Sequence, residues 1–151
     1  MLYSSACEYA IRALIYLVKQ KPDQFILLRE IAKSEGIPYP FLGKIFQNLV
    51  RAGFLRSAKG LHGGYALVRP PDGITLYNIK EVIDGTADLE RCITGLDRCS
   101  DEMSCPLHET WKPLRQEIKH FLQNTSMADI AQAVQKKRIL LTQSISKPKG
   151  E

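Results

Sequence analysis

The chain has 151 residues, 44% of them hydrophobic and 25% charged, the balance of an ordinary folded protein with room for one good core. Its net charge is +5, and the apolar run in its first twenty residues is interrupted by Glu8 and Arg12, with no small-residue cleavage site after it. A membrane span, which needs about 18 uninterrupted apolar residues, is excluded on that count, and no signal peptide is expected.

The expected location is therefore the reducing cytoplasm, where cysteines serve more often as ligands or sensors than as disulfides. Residues 4–19 read as a helix: Ser4 or Ser5 can cap it, and Ala6, Ala10, Ala13, Leu14 and Leu17 recur at helical spacing. Ile11, Ile15 and Val18 add a second stripe, so this helix is expected to pack on its own domain and on something else, such as a second subunit. Cys7, alone on that apolar helix, reads as packing rather than as a ligand. Lys21-Pro22-Asp23 breaks the chain, and a short helix is expected from about Leu27 to Glu35 with Leu28, Ile31 and Ala32 inward. Gly36 can supply the positive φ that closes it. Pro40 suits the first turn of the next helix, expected to reach about Ala52 with Leu42, Ile45, Phe46, Leu49 and Val50 buried. Two short helices joined by a tight turn match a helix-turn-helix, although any small helical hairpin would look the same.

The next segment favours the DNA-binding reading. Phe54 to Ala58 and Tyr65 to Val68 read as strands, joined by the glycine-rich tip Lys59-Gly60-Leu61-His62-Gly63-Gly64, and Pro70-Pro71 prevents any continuation. A hairpin directly after a helix-turn-helix is a wing. Its glycines allow close approach to a phosphate or a narrow minor groove, where Lys59 meets enhanced negative potential. A nucleotide-binding glycine loop would need a strand feeding a helix, which is not the pattern here. Between Glu35 and Asp72 there is no acidic residue, while Lys44, Arg51, Arg56, Lys59 and Arg69 all fall there. Such a stretch repels no polyanion.

Thr75 can cap another short helix carrying Leu76, Ile79, Val82 and Ile83 and ending near Gly85. From Thr86 to Glu109 the charge reverses, with six acids against Arg91 and Arg98. Three of the four cysteines, Cys92, Cys99 and Cys105, lie in this loop with six and five residues between them, and His108 follows three residues after the last. A helix beginning near Pro106 would point Cys105 and His108 the same way. Four soft ligands of this kind can enclose a metal or a cluster. Structural zinc favours ligand pairs two to four residues apart, and no such cysteine pair is present. Packing suits so acidic a segment poorly, and a thiol switch stays open as the alternative. The following helix is expected to reach about Gln123, its opening turns restricted by Pro113, with Trp111, Leu114, Ile118 and Phe121 spaced as the seam of a helix pair. Ser126 and Asp129 resemble a capping box for a last helix through Val134, and the basic residues from Lys136 onward are expected to be mobile, Lys147-Pro148-Lys149-Gly150 most clearly.

Tyr9-Ala10, Leu28-Arg29-Glu30-Ile31-Ala32, Pro40-Phe41-Leu42 with Ile45-Phe46, the wing residues Gly60 and Gly63-Gly64-Tyr65, the three cysteines and Cys105-Pro106-Leu107-His108-Glu109-Thr110-Trp111 together resemble one family. It is that of the IscR-type winged-helix transcription regulators, which include NsrR-type nitric-oxide sensors and the cluster-free CymR type. The likeness runs from Tyr3 to Val134. It implies a mainly α fold with a small β-hairpin wing, a winged helix-turn-helix domain plus a long C-terminal dimerisation helix. The chain then divides into a DNA-binding domain over 1–85, a cysteine-rich cluster-binding loop over 86–109, dimerisation and terminal helices over 110–135, and a disordered basic tail over 136–151.

The resemblance further implies a homodimeric regulator, a repressor by expectation, acting on a double-stranded DNA operator. Cys92, Cys99, Cys105 and His108 would hold a 2Fe–2S iron–sulfur cluster, while a 4Fe–4S cluster with Glu8 of a second subunit as a ligand is the variant. The alternative of the same fold is a cluster-free repressor governed by thiols or a protein partner. Tyr39, Pro40, Lys44 and Gln47 are the expected readers on the recognition helix, with Lys59, Gly60 and His62 in the wing. Lys59 stands where the family's well-known members carry arginine, and Gly43-Lys44 stands where their reader is acidic or polar, so base specificity does not carry over. No nucleophile–base pair or substrate motif supports an enzyme, and neither a membrane nor a small-molecule substrate is an expected partner.

Overall fold

The first helix is the hub. Helix α1 (Ser5–Val18) is capped by Ser4, whose side chain accepts the Cys7 N–H, and it buries Cys7, Ala10, Ala13, Leu14, Ile15 and Leu17. Its two apolar stripes are covered by the chain's own helices α2 (Leu28–Glu35), α3 (Tyr39–Arg51), α4 (Leu76–Ile83) and α6 (Met127–Ile145). Ile15 of the second stripe is buried by these helices, while Ile11 and Val18 are only half-buried. The remaining elements are the strands β1 (Leu55–Ala58) and β2 (Gly64–Leu67), the helix α5 (His108–Asn124), and two short 3₁₀ turns at Pro71–Gly73 and Ala87–Glu90. This computed structural model describes residues 2–95, 101–102 and 105–145.

Helices α2 and α3 form the helix-turn-helix. Gly36 sits at φ 62, and its N–H and that of Ile37 both return to the Ala32 carbonyl, so the chain reverses within one residue. Ile37 is buried at the corner, and Pro38 and Pro40 open α3 with Leu42, Ile45, Phe46 and Leu49 on its inner face. Strands β1 and β2 pair antiparallel with Leu55 opposite Leu67 and Ala58 opposite Gly64. Ile26 adds a bridge to Tyr65 by two backbone hydrogen bonds of 2.8 and 3.0 Å, and the Tyr65 ring meets Phe46 edge-on at 4.9 Å. The wing is thereby fastened both to the segment before α2 and to the recognition helix.

Thr75 and Asn78 make a reciprocal capping box on α4. The starts of α4 and α6 are joined backbone to backbone, Leu76 N–H to Thr125 O at 3.0 Å and Met127 N–H to Ile74 O at 2.8 Å. Ser126 and Asp129 cap α6 as their spacing indicates, the Ser126 hydroxyl lying 2.6 Å from the carboxylate. That helix does not stop at Val134. It continues to Ile145, because Lys136-Lys137-Arg138-Ile139-Leu140-Leu141 contains good helix formers and no breaker. The first ten residues of the basic tail are therefore helical, and the segment 147–150 lies outside the described residues.

Helix α5 packs on α4 and on the 3₁₀ turn at Ala87–Glu90. Its expected seam divides. Ile118 packs with buried Leu122, Leu76 and Leu89 in a second small core, whereas Leu114 and Phe121 turn outward, half exposed. No described helix is long and apolar enough to cross a membrane.

Candidate DNA-reading surface and cysteine site

Pro40, Lys44, Gln47 and Arg51 follow one another at intervals of four, three and four along α3, and all four are exposed. Tyr39 is exposed beside them at the first turn. A recess lined by Gln47, Val50, Arg51, Ser57 and Tyr65 joins this face to the wing, where Lys59, Gly60 and His62 are exposed. Every expected reader is therefore exposed. Arg51 was not among the expected readers, yet its seven-residue offset from Lys44 puts it on the same exposed face. Two other cations of the acid-free stretch are engaged inside the domain: Arg56 pairs with Asp23 at 2.5 Å and stacks on Phe25, and Arg69 stacks on Phe54.

The cysteine site is approached through a clamped segment. Lys80 of α4 is only 2% exposed and places its ammonium 2.8 Å from Asp88. Glu90 accepts from Lys119 at 2.7 Å, its backbone carbonyl from Arg115 at 2.8 Å, and the Arg91 carbonyl from the Trp111 indole at 3.2 Å. The Lys119 bond holds the Glu90 carboxyl below its ordinary range. Residues 88–91 are thus held between α4 and α5, with Cys92 following the Arg91 carbonyl that Trp111 of α5 holds. Cys92 is buried, with its Sγ 3.1 Å from the Thr94 hydroxyl.

Cys105 and His108 are not on one helix, since α5 begins only at His108. They share the turn before it instead, the His108 N–H donating to the Cys105 carbonyl at 2.9 Å. His108 is 3% exposed and its Nε2 lies 2.7 Å from Asp101 Oδ1. Asp101 also accepts from Lys112 at 2.7 and 2.8 Å, and those bonds, Lys112 first and His108 second, hold its carboxyl below the usual range. A carboxylate on Nε2 fixes the ring and selects the tautomer whose Nδ1 carries the lone pair, as is usual for ligating histidines. Cys99 lies outside the described residues, and among the described residues no three of His, Cys, Asp or Glu gather closely enough to hold a metal ion. Cys7 and Cys105 are free thiols. Soft sulfurs beside a carboxylate-oriented imidazole are a donor chemistry that fits an iron–sulfur cluster.

Cys7 is apart from this set, fully buried on the inner face of α1, and burial followed by the nearby Asp84 pushes its thiol up to about 12. Glu8 is exposed in the first turn of α1, 3.8 Å from Arg12.

Residues 3–133 match the family model for Rrf2, described as an iron-dependent transcriptional regulator. The chain belongs to the Rrf2 family. Among its Rrf2-type relatives it is 34% identical over 132 residues to a candidate HTH-type transcriptional regulator of Aquifex aeolicus, covering 86% of this chain and 91% of that protein. It is 28% identical over 130 residues to the HTH-type transcriptional regulator IscR of Yersinia pestis, covering 86% and 79%. In structure it is similar to CymR, the global cysteine regulator of B. subtilis, with a TM-score of 0.75 at 25% identity over 86% of this chain and 95% of that one. It shares the fold of T. potens IscR with a TM-score of 0.68 at 22% identity over 97% and 92% of the two chains. The protein is a DNA-binding transcriptional regulator of winged helix-turn-helix fold, not an enzyme.

Proposed function

We propose that this Rrf2 regulator is a homodimeric repressor whose hold on its DNA operator is set by an iron–sulfur cluster, 2Fe–2S, bound by Cys92, Cys99, Cys105 and His108. The observation that carries the reading is the buried imidazole of His108 held by Asp101 in the turn that begins at Cys105. Asp101 at Nε2 leaves Nδ1 as the lone-pair nitrogen that a metal would take. The cluster supplies a centre whose presence and oxidation state follow iron, sulfide and oxidant supply.

The chain's own residues do the rest. Tyr39, Pro40, Lys44 and Gln47 face base edges and phosphates in the major groove, joined by Arg51 further along the same face. Lys59, Gly60 and His62 approach the minor groove. Lys80 and Asp88 couple the root of the cysteine loop to α4, and α4 packs on both α1 and α3. Filling the cysteine site is thereby communicated to the reading head. Leu114 and Phe121, half exposed on α5, supply the contact with a second copy. A cluster-free, thiol-controlled repressor is the second reading, favoured by the likeness to CymR.

Visible and paramagnetic-resonance spectra of the anaerobically purified protein, with iron and sulfide assays, separate the two. The cluster reading expects a coloured protein holding iron and sulfide in equal amounts, and a His108→Ala variant with an altered spectrum and faster cluster loss. A colourless protein lacking both elements contradicts it, and a wild-type spectrum and stability in the variant removes His108 from the ligand set.

A further inference from the structure

Leu61, at the tip of the wing, is 90% exposed, the most exposed of the large hydrophobic side chains described. A lone exposed leucine on a loose loop would mean little. This one stands on a tightly built backbone. Gly63 N–H donates to Gly60 O at 3.0 Å, so Leu61 and His62 occupy the two corners of a four-residue turn. A Cβ on Gly63 would lie 2.3 Å from the Ala58 carbonyl oxygen, and one on Gly64 2.2 Å from that of Ile26. The chain therefore crosses itself at the closest possible approach just behind the tip. Behind that crossing, the Ile26–Tyr65 bridge and the Tyr65–Phe46 contact fix the turn relative to α3.

The neighbours of Leu61 say what it meets. Lys59 and His62 flank it, both exposed, in the stretch from Gly36 to Pro71 that holds no acid. A surface built only to grip phosphates would carry a cation or a small polar residue at its foremost point. Here that point is apolar and branched, on the element that faces the minor groove in the function proposed above, on which this inference rests.

We infer that Leu61 is a minor-groove wedge, entering between base pairs beneath the wing and making the protein prefer a flexible pyrimidine–purine step there. Insertion of an apolar side chain partly unstacks a step, and TA or CA/TG steps yield most easily. The leucine leaves water as it enters, and the locked turn loses little freedom in presenting it. Selectivity then arises at a position where no hydrogen bond reads a base.

The test starts with selection from duplexes containing a randomised stretch of about 25 base pairs. The full-length protein, in cluster-loaded and cluster-free forms, is compared with Leu61→Ala and Leu61→Met. Leu61 belongs to neither buried cluster, so truncation leaves the fold intact. Wild-type protein and Leu61→Met are expected to enrich a TA or CA/TG step at one fixed distance on each side of the site centre. Leu61→Ala is expected to keep the bases read by α3 and lose the step, binding the wild-type site about ten- to hundredfold more weakly. On a duplex with a stiff A-tract replacing the step, wild type and Leu61→Ala should bind alike. A 2-aminopurine at the step should brighten with wild type and stay quenched with Leu61→Ala. Equal step preference in wild type and Leu61→Ala, or equal loss of affinity for every duplex, overturns the wedge. Enrichment of no sequence by wild type overturns the DNA reading itself, an outcome distinct from a selected site that lacks the step.

Discussion

Cys7 and Cys105 are both free thiols, but their surroundings give them different chemistry. Cys7 has no exposed surface, and burial, helped by Asp84, raises its pKa from an ordinary 9.0 to about 12. Folding therefore favours the protonated thiol. The associated stability is complete below about pH 9 and is lost as pH rises from there toward about 12. Cys105 is half-buried in the turn before α5, open to reagents when no ligand covers it. Alkylation of cluster-free protein at pH 8, read by peptide mass, should label Cys105 and spare Cys7 until the chain unfolds. Rapid native labelling of Cys7 would contradict its packing role. At this scale much was legible in the sequence: a lone cysteine on an apolar helix face reads as core, and the readers on α3 and the wing all emerge exposed. What escaped were the partners. Asp101 on His108 and Asp88 on Lys80 join residues across a loop, and no periodicity reports which carboxylate a loop returns to a given cation or imidazole.

At the scale of elements, the wing depends on two glycines with no room for a side chain. Gly64 has φ 132, and any Cβ there would collide with the Ile26 carbonyl. Gly64→Ala should cost on the order of 1–3 kcal/mol in stability and detach the hairpin from Ile26. Thermal melting and exchange of the Tyr65 amide would register both. Unchanged protection at Tyr65 would show that the hairpin does not depend on that approach. The elements themselves were largely readable, because caps and breakers are local: Ser4, Gly36, Pro40, Thr75 and Ser126 each mark a boundary close to its observed place. Two boundaries were not. Helix α6 outruns its buried stripe because nothing in residues 135–145 stops it, and charge alone had suggested loss of structure. Helix α5 starts at His108 rather than near Pro106, so Cys105 belongs to the approach and not to the helix.

The whole molecule combines a reading surface formed by α3 and the wing with a sulfur-bearing loop rooted between α4 and α5. Helix α1 is the common support, touching α2, α3, α4 and α6. The outward residues of α5 belong to this scale, since among the described residues Leu114 and Phe121 stay half exposed while Ile118 and Leu122 pack into the second core. Phe121→Glu should shift the protein from dimer to monomer in light scattering after size exclusion. It should also weaken binding to a two-half-site duplex far more than to a single half-site. A variant that remains dimeric would place the contact elsewhere. The most direct measurement is the affinity of the full-length protein for its selected duplex, by fluorescence anisotropy at fixed salt, with the cysteine site loaded and emptied anaerobically. Coupling between the sites predicts affinities that differ by about fivefold or more. Identical affinities in the two forms would contradict control of DNA binding by that site.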